Sequence, residues 1–561
     1  MNSKNQMVLE HIEENIEDIL LKYIKAQSFT FTEREKDAEI FLMEYFSNID
    51  YFKQNPEYYG NYQIEDDPFN RAVSFGMVKG KGEDTVVLIH HNDVVEVEDY
   101  KLLKPYAFSP KALEQNLLKI KDSLQQEARA DLIGGDYLFG RGVCDMKGGG
   151  AIQLALLERY SKIKDFTGNV IVIAVPDEEN LSAGMRAAVS LLKQLKDKYH
   201  LNYKMMINSE PHQRKNNEIG VFSQGTVGKM MPFIYVRGYL SHIGKVFEGL
   251  NPLSIMSEII RRTELNLEFS DEIENEMAPP PTWLYLKDNK KQYDVSMPLA
   301  VSGCFSILTF NRTPQQIMEK VQVICHESFQ QILIEMNTKY QEFLKVKKLE
   351  SSTLPWKANV ISFSELYREA LLNYGDEFRS VYKDKLDNTK QELKEGKSTI
   401  IECNFELVDF VYQYINDISP RVIYGLVPPY YPNVSNIYYD NINIDIKKLP
   451  ETLTEFCKER FDQIYELENF YTGISDLSYS SIKDSHSIVQ SLKKYMPLFG
   501  SFYSIPAHHI EEISMPCINI GPWGKDFHKL TERVYKEDLY YRTPEIINHA
   551  IALLLNIPEL L

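Results

Sequence analysis

Histidine and carboxylate side chains meet in the segment VVLIHHNDVV, where a short apolar run ends in polar residues. Residues two apart on an extended chain point the same way, so Asp93 can accept a hydrogen bond from one ring nitrogen of His91 and leave the other nitrogen for a metal ion. The same residues also fit a polar strand end with a hydrogen-bonded histidine. This segment predicts a strand end and leaves metal binding open.

A second group lies in GRGVCDMKGGG, residues 140–150, a glycine-rich turn before the helical pattern AIQLALLERY. The GxxxxGK[ST] pattern of a phosphate-binding Walker loop is absent from it. Asp145 stands at the tight turn, where a carboxylate either bridges two cations or caps the following helix. The turn alone does not choose between these roles.

Three more segments place acids or a histidine after apolar strand patterns. NVIVIAVP ends in a run of acids that includes Glu178 and Glu179, which repel one another unless water or cations compensate them. MMINSEP ends in Glu210, and INIGPWGKDFHKLTE carries His528 with Glu532 four residues later. Taken singly, these segments also fit a solvated acidic loop and a surface or core histidine.

The five segments together offer two histidines and three carboxylates with a spare glutamate, each after an apolar strand or strand-turn pattern. Two adjacent Zn²⁺ ions that share one carboxylate require such a set. Nitrogen and oxygen donors without thiolates favour Zn²⁺, Co²⁺ or Mn²⁺ over an iron–sulfur or structural cysteine site. The ordered set therefore predicts a two-metal centre, with two Zn²⁺ per chain and Co²⁺ or Mn²⁺ as alternatives.

The elements that must position these residues follow from short apolar runs, AVSFGMVKG, TVVLIHH, GNVIVIAVP and YKMMINS, with helical patterns between the later ones. Continuous apolar strands separated by helices predict a doubly wound, mostly parallel α/β sheet with both faces covered. Function in such sheets gathers at the carboxyl ends of strands. Near the start, Thr32 and Glu35 are spaced as a capping box for a helix.

The rest of the chain predicts an interrupted catalytic domain. Residues 1–224 form its first part and 225–345 an inserted α+β domain. Residues 346–465 are an elaboration whose packing the pattern does not specify, and 466–561 return to the catalytic domain. No low-complexity linker separates these ranges.

Composition narrows the functional classes. The 561 residues carry a formal net charge of −18, and without a basic block this disfavours nucleic-acid binding. The six cysteines form no CxxC pair, which favours reduced thiols and a cytoplasmic location. Because no signal-peptide pattern and no long uncharged apolar stretch is present, we expect no membrane partner.

The motifs HNDVV, GRGVCDMKGG, PDEEN, SEP and GPW…H, in this order, resemble those of the dinuclear zinc hydrolases of peptidase family M-20. That family includes acetylornithine deacetylase, succinyl-diaminopimelate desuccinylase, aminoacylase and glutamate carboxypeptidase. The chain length, PPYYPNV and GISDLSY further resemble the arginine-utilization, RocB-type branch.

The resemblance implies a role for each of the chemistry-bearing residues. It makes Glu178 the general base and Asp93 the residue that orients a ligand histidine. It also implies five metal ligands: His91 and Glu210 on one ion, Glu179 and His528 on the other, and Asp145 as the bridge.

The resemblance implies that the inserted α+β domain is of the lid or dimerisation type. It also implies that His242 of this domain helps to hold the oxyanion, in its own active site or that of a partner subunit. It also implies that Asn251 contacts a substrate carboxylate. Arg312 resembles an arginine that anchors a carboxylate, although Phe310 replaces the acid of the family's DxR pattern. These three assignments rest on local similarity.

The sequence thus predicts a metal-dependent hydrolase that cleaves an amide bond of an N-acyl amino acid or small peptide, with a role in arginine metabolism as an implication. A dipeptidase or aminopeptidase is the alternative within enzymes, and a non-catalytic binding or regulatory relative is the alternative outside them. We expect a small-molecule substrate and either a homodimer or a self-sufficient monomer.

Overall fold

The computed structural model describes residues 3–439 and 443–561. It divides into two units. Unit 1 takes its described residues from Met1–Thr226, Val434–Lys483 and His508–Leu561, and unit 2 comprises Val227–Asn433 and Asp484–Ala507. The stretch 346–465, which the sequence left unplaced, is thus shared between the units, and 484–507 belongs to unit 2.

Unit 1 is built on an eight-stranded sheet. Its inner strands run mostly parallel, and antiparallel pairs lie towards one edge and at the Cys517–Asn519 contact with Gly220–Ser223. The predicted mostly parallel α/β sheet is confirmed. In spatial order its strands are Tyr59–Gln63, Ala72–Lys79, Asn169–Val175, Asp84–His91, Asn202–Asn208, Cys517–Asn519, Gly220–Ser223 and Tyr465–Glu468.

Helices supply the core around this sheet. Helix Lys147–Ser161 is buried along most of its length. It lies so close to the strand ends that a Cβ on Gly149 would stand 2.2 Å from the Ser209 carbonyl oxygen, and one on Gly150 would stand 2.6 Å from the His90 ring. The run of glycines after Asp145 is therefore needed for packing. The other helices of unit 1 are Ser3–Leu9, Ile12–Tyr23, Lys36–Asn48, Asp50–Gln54, Pro110–Lys119, Gln126–Gly134, Ala183–Tyr199, Ile444–Lys447, Leu449–Phe461, Ala507–Ile513 and Thr543–Leu554.

A small three-stranded antiparallel sheet is attached to unit 1, formed by Tyr137–Phe139, Arg533–Tyr535 and Gly524–Lys525. Its outer hairpin joins Gly524–Lys525 to Arg533–Tyr535. The hairpin loop carries His528, so this candidate ligand comes from outside the main sheet.

Unit 2 is an α+β unit with a five-stranded sheet, whose order is Thr282–Asp288, Ala300–Thr309, Gly228–Arg237, Arg421–Tyr431 and Val360–Ser362. The pairs are antiparallel except the last, which is parallel. Its helices are Pro252–Thr263, Pro314–Lys347, Phe363–Lys394, Ile400–Tyr412 and Ser485–Tyr495.

The middle strand of unit 2 is buried at nearly every position from Gly228 to Val236. Since neighbouring strand residues face opposite sides, both faces of this sheet are covered. On one face, Phe233 packs edge-on to Phe405, and Tyr235 stacks on Tyr412 at a centroid distance of 5.5 Å. The helices within 346–420 therefore form a layer on the sheet of unit 2. Among the described residues, no helix is both long and apolar enough to cross a membrane.

Candidate metal centre

His91 is the last residue of the central strand Asp84–His91, and its side chain is 1% exposed. Its Nε2 lies 3.0 Å from Asp145 Oδ1 and 3.5 Å from Glu210 Oε1. Its Nδ1 lies 3.1 Å from the backbone oxygen of Asp93 and 3.5 Å from that residue's carboxylate. One ring nitrogen is thus held by Asp93 while the other faces two carboxylates.

Asp93 also supports the neighbouring strand end. Its two carboxylate oxygens accept hydrogen bonds from the backbone N–H groups of Glu178 and Glu179, each at 3.2 Å. A fully buried acid therefore links the histidine of one strand to the acids that follow the next strand.

Asp145 stands between two histidines. Its Oδ1 is 3.0 Å from His91 Nε2, and its Oδ2 is 3.1 Å from His528 Nε2. The turn that presents it contains Gly142 at φ 75° and joins Asp145 to Met146 by a cis peptide bond. A carboxylate with one oxygen directed at each of two histidines has the geometry of a bridging ligand.

Glu179, Glu210 and His528 complete the cluster. Glu179 Oε1 lies 2.9 Å from His528 Nε2. Glu210 follows strand Asn202–Asn208, is 6% exposed, and has its backbone oxygen bound by the Asn519 side chain at 2.8 Å. Glu178 is 9% exposed and lies beside Glu179 in sequence. All seven residues predicted for the metal centre and its base therefore lie in unit 1.

The hairpin gives His528 an unusual backbone. Its φ is 62°, in the left-handed region, and its side chain is 49% exposed. Asp526 closes the hairpin by accepting from the Thr531 hydroxyl at 2.8 Å and the Arg533 guanidinium at 2.5 Å. The strained ligand position is thus held by a local ion pair.

The cluster brings five carboxylates together with two histidines, so acidic groups are in excess. Burial, together with neighbouring acids, raises the pKa of the Glu178 and Glu210 carboxyls well above their usual range. Hydrogen bonds to Asp145 and Glu179 raise the pKa of His528 to about 10. In this arrangement protons offset the excess negative charge, and divalent cations would take their place.

The donor set fits divalent metals. One ligand atom from each of His91, Asp145 and Glu179 lies within 4.8 Å of the others, and Glu210 and His528 extend the group on either side of Asp145. Imidazole and carboxylate donors without thiolate suit Zn²⁺, Co²⁺ or Mn²⁺. The residues present therefore fit the predicted metals.

The three residues predicted for substrate contact belong to unit 2. His242 is exposed, and its Nδ1 accepts from Gly244 N at 3.0 Å. Asn251 caps helix Pro252–Thr263 by accepting from the backbone at 3.0 Å. These contacts give both side chains local roles, and substrate binding by them stays a prediction.

Arg312 is already engaged within unit 2. Its Nε lies 2.5 Å from Asp271 Oδ1, and another guanidinium nitrogen donates to the Glu268 backbone oxygen at 2.6 Å. Asp271 also accepts the backbone N–H of Phe310 at 2.8 Å, so it supplies an acid beside the position where the family pattern has one. The proposed carboxylate anchor is thus paired with an acid of its own chain.

The sequence pattern assigned no role to several residues near the centre. Glu532 is fully buried and binds the turn of Asp145. Burial, together with the charges of Glu210 and Asp145, raises the pKa of the Tyr471 phenol well above its usual value. The spacing of Glu532 four residues after His528 was a visible signal, whereas nothing local marked Tyr471.

Arg71 is another buried group that the motifs did not reveal. It is 1% exposed and pairs with Glu35, Asp67 and Asp177 at 2.6, 2.6 and 2.9 Å. Asp177 directly precedes Glu178 and has φ 70°. The ion cluster thus fixes the backbone from which the candidate base projects.

The chain is similar to known proteins over most of its length. The family model described as Peptidase family M20/M25/M40 matches residues 122–552. The uncharacterized protein YqjN of Bacillus subtilis (strain 168) is 29% identical over 549 residues, covering 96% of each chain. Protein RocB of the same organism is 28% identical over 550 residues, covering 97% of this chain and 95% of RocB.

A solved structure supports the fold. The di-peptidase Dug1p from Saccharomyces cerevisiae aligns with a TM-score of 0.52 at 13% identity and covers 100% of both chains. At that identity the likeness concerns the fold alone. The family match extends over most of the chain and includes four of the five candidate metal ligands. The protein therefore belongs to the metallopeptidases of family M20/M25/M40.

Proposed function

We propose that this protein is a dinuclear metal hydrolase that cleaves the amide bond of an N-acyl amino acid or small peptide. The observation that carries the proposal is Asp145, whose two oxygens face His91 and His528 at 3.0 and 3.1 Å. With Glu210 beside His91 and Glu179 beside His528, this set would hold two divalent ions. Zn²⁺ is the first choice, and Co²⁺ or Mn²⁺ are alternatives.

When bound, such ions polarise the substrate carbonyl and lower the pKa of water. Glu178 acts as general base and then as general acid: it takes a proton from the attacking water and delivers it to the leaving nitrogen. Asp93 keeps His91 in the ligating tautomer through contacts at 3.1 and 3.5 Å, and holds the Glu178 backbone in place.

The substrate class rests on similarity. Near-full-length similarity to RocB and the resemblance to the arginine-utilization branch favour an acylated derivative of arginine or a related amino acid. A dipeptidase or aminopeptidase is the alternative and would require a free α-amino group in its substrate. A screen of N-acyl amino acids and dipeptides, including arginine, ornithine and citrulline derivatives, separates the two. We further propose a cytoplasmic enzyme that works as a homodimer or as a self-sufficient monomer.

Replacing Glu178 with Gln tests the mechanism. Because the amide cannot accept the proton, kcat should fall by about 10²- to 10⁴-fold while metal content stays unchanged. The matched control is Glu98→Gln, an exposed glutamate with a side chain 79% accessible, which should leave kcat unchanged. Undiminished turnover in Glu178→Gln would exclude Glu178 as the base, and a wild-type chain that binds no divalent metal would exclude the proposed function.

A further inference from the structure

We propose that Glu532 is a positioning residue that fixes the bridging carboxylate Asp145 relative to His528. The inference rests on the proposed two-metal function and adds a residue to it. Glu532 is completely buried in unit 1 and touches neither His91 nor Glu210 among its described contacts. Its influence would pass through the turn that carries Asp145.

The side chain of Glu532 is surrounded by donors from that turn. Its Oε1 accepts from the backbone N–H groups of Gly142, Cys144 and Asp145 at 2.8, 3.3 and 3.3 Å. Successive N–H groups in a turn with a left-handed residue form a concave anion-binding surface. In this molecule an internal carboxylate occupies that surface, and the turn is held in the shape that presents Asp145.

The second oxygen of the carboxylate is held from the other side. Glu532 Oε2 lies 2.6 Å from the Arg141 guanidinium, which lies over the Tyr100 ring at 5.3 Å and near Asp99 at 3.5 Å. Four donors therefore converge on two oxygens. An ionised carboxylate can accept from all of them, whereas the amide of a glutamine would turn either a donor towards Arg141 or a donor towards the backbone N–H groups.

The backbone of Glu532 ties the same turn to the hairpin of His528. Its N–H donates to the Lys529 oxygen at 2.9 Å, and its own oxygen accepts from Gly140 N at 3.2 Å. Strand Arg533–Tyr535 begins at the next residue. One residue thus joins two segments far apart in sequence, and each segment presents a proposed ligand to the ion that Glu179 and His528 would hold.

A purely structural ion pair would stabilise the fold without setting the metal geometry, and the chain offers a control for that case. Asp538 is also fully buried, pairs with Arg214 at 3.1 Å, and accepts a backbone N–H from Trp523 at 3.3 Å. Its described contacts do not include the Asp145 turn. Asp538→Asn therefore removes a comparable buried ion pair without the proposed positioning role.

The experiment compares Glu532→Gln and Asp538→Asn with the wild type in the full chain. In Glu532→Gln the amide NH₂ faces Arg141, so the turn loses its anion. We expect the Kd for the weaker of two Zn²⁺ ions, measured by calorimetry, to rise about 10- to 100-fold. The visible absorption spectrum of the Co²⁺-loaded chain should also change. Asp538→Asn should leave both readouts unchanged.

Folding of each variant is checked by circular dichroism. If Glu532→Gln does not fold, Glu532→Asp replaces it, because it keeps the charge but withdraws the acceptor by one methylene; the same loss of Zn²⁺ affinity is expected. Wild-type Zn²⁺ affinity and an unaltered Co²⁺ spectrum in a folded Glu532 variant would overturn the inference. Equal losses in the Asp538→Asn control would also overturn it. Failure of the wild type to bind Zn²⁺ would instead refute the proposed function.

Discussion

The two halves of the proposed metal centre are built differently. The inner half, His91 and Glu210, has side chains that are 1% and 8% exposed. His91 ends one strand of the main sheet, and Glu210 follows the adjacent strand. The outer half, Glu179 and His528, has side chains that are 11% and 49% exposed. Its histidine stands on a hairpin outside that sheet, with a left-handed backbone.

This difference shows how ligands from a rigid sheet and a ligand from an added hairpin can form one site. Strand pairing fixes the inner half, since His91 is in register with Val175 of the adjacent strand. The outer half depends on side-chain contacts, such as those of Asp526 and Glu532, to hold a loop. We therefore expect the inner half to bind its ion more tightly and the outer half to exchange its ion more readily.

The largest effect should separate the halves directly. His91→Ala removes a ligand and leaves the buried acids Glu210 and Asp145 uncompensated, so we expect loss of both ions. We also expect kcat/KM to fall by more than about 100-fold, because loss of a ligand should exceed the effect of losing a residue that only supports a ligand. His528→Ala should retain about one ion of the two. Metal content is measured by mass spectrometry after dialysis.

His508→Ala is the matched control, because His508 is a histidine of unit 1 that is 80% exposed and contacts Glu512 instead of the centre. It should keep full metal content. Equal retention of metal in His91→Ala and His528→Ala would show that the halves do not differ as their burial suggests.

Sequence reasoning succeeded where chemistry follows local pattern. The apolar runs predicted strands that the structure places at Ala72–Lys79, Asp84–His91, Asn169–Val175 and Asn202–Asn208. Because parallel strands end at the same edge of a sheet, acids and histidines just after them were expected to meet. Three of the five candidate ligands, His91, Glu179 and Glu210, lie at such strand ends for this reason. Asp145 instead follows a strand of the small antiparallel sheet, and His528 lies on the hairpin of that sheet.

It failed where a residue's role depends on a distant partner. Thr32 and Glu35 matched a capping box, yet Thr32 Oγ1 accepts from Arg34 N at 3.2 Å and the Glu35 carboxylate pairs with Arg71. Likewise, the pattern in 346–465 left its packing unspecified, whereas the structure places helix Phe363–Lys394 against the sheet of unit 2. Such pairings arise from tertiary packing, which a single sequence pattern does not encode.

A second prediction concerns the buried ion cluster behind the segment that carries Glu178 and Glu179. Arg71 forms ion pairs with Glu35, Asp67 and Asp177 in a cluster that is almost completely buried. Arg71→Met would leave three buried carboxylates without their cation, so the free energy of unfolding should fall by about 3–5 kcal/mol. Urea denaturation monitored by circular dichroism measures the change.

Arg34→Met is the control for this change. Arg34 and Asp37 form an ion pair at 3.5 Å with side chains 49% and 43% exposed, so its loss should cost no more than about 1 kcal/mol. A similarly small loss of unfolding free energy for Arg71→Met would mean that the buried cluster does not stabilise the segment that carries Glu178 and Glu179.

The smallest predicted effect tests how firmly the sheet supports the inner half. His90 faces the core, opposite to His91 on the same strand. The side-chain nitrogen of Gln153 donates to Ile89 O and Ser209 Oγ, which leaves its oxygen to accept from His90 Nδ1 at 2.9 Å. His90 Nε2 then accepts from the Tyr23 hydroxyl at 3.2 Å, and the ring is neutral.

Burial lowers the pKa of His90 to about 4, below its ordinary value of 6.5. The unfolded chain therefore binds a proton between these pH values while the folded chain does not, so stability falls as the pH drops from about 6.5 to about 4. The slope from this residue is at most about 1.4 kcal/mol per pH unit, and the total at most about 3 kcal/mol. Urea denaturation with a chelator present, from pH 7 to pH 4.5, should show a shallower decline for His90→Gln than for the wild type. Parallel profiles would show that protonation of His90 does not lower the free energy of unfolding. The strand Asp84–His91 would then be less rigidly packed than its burial implies.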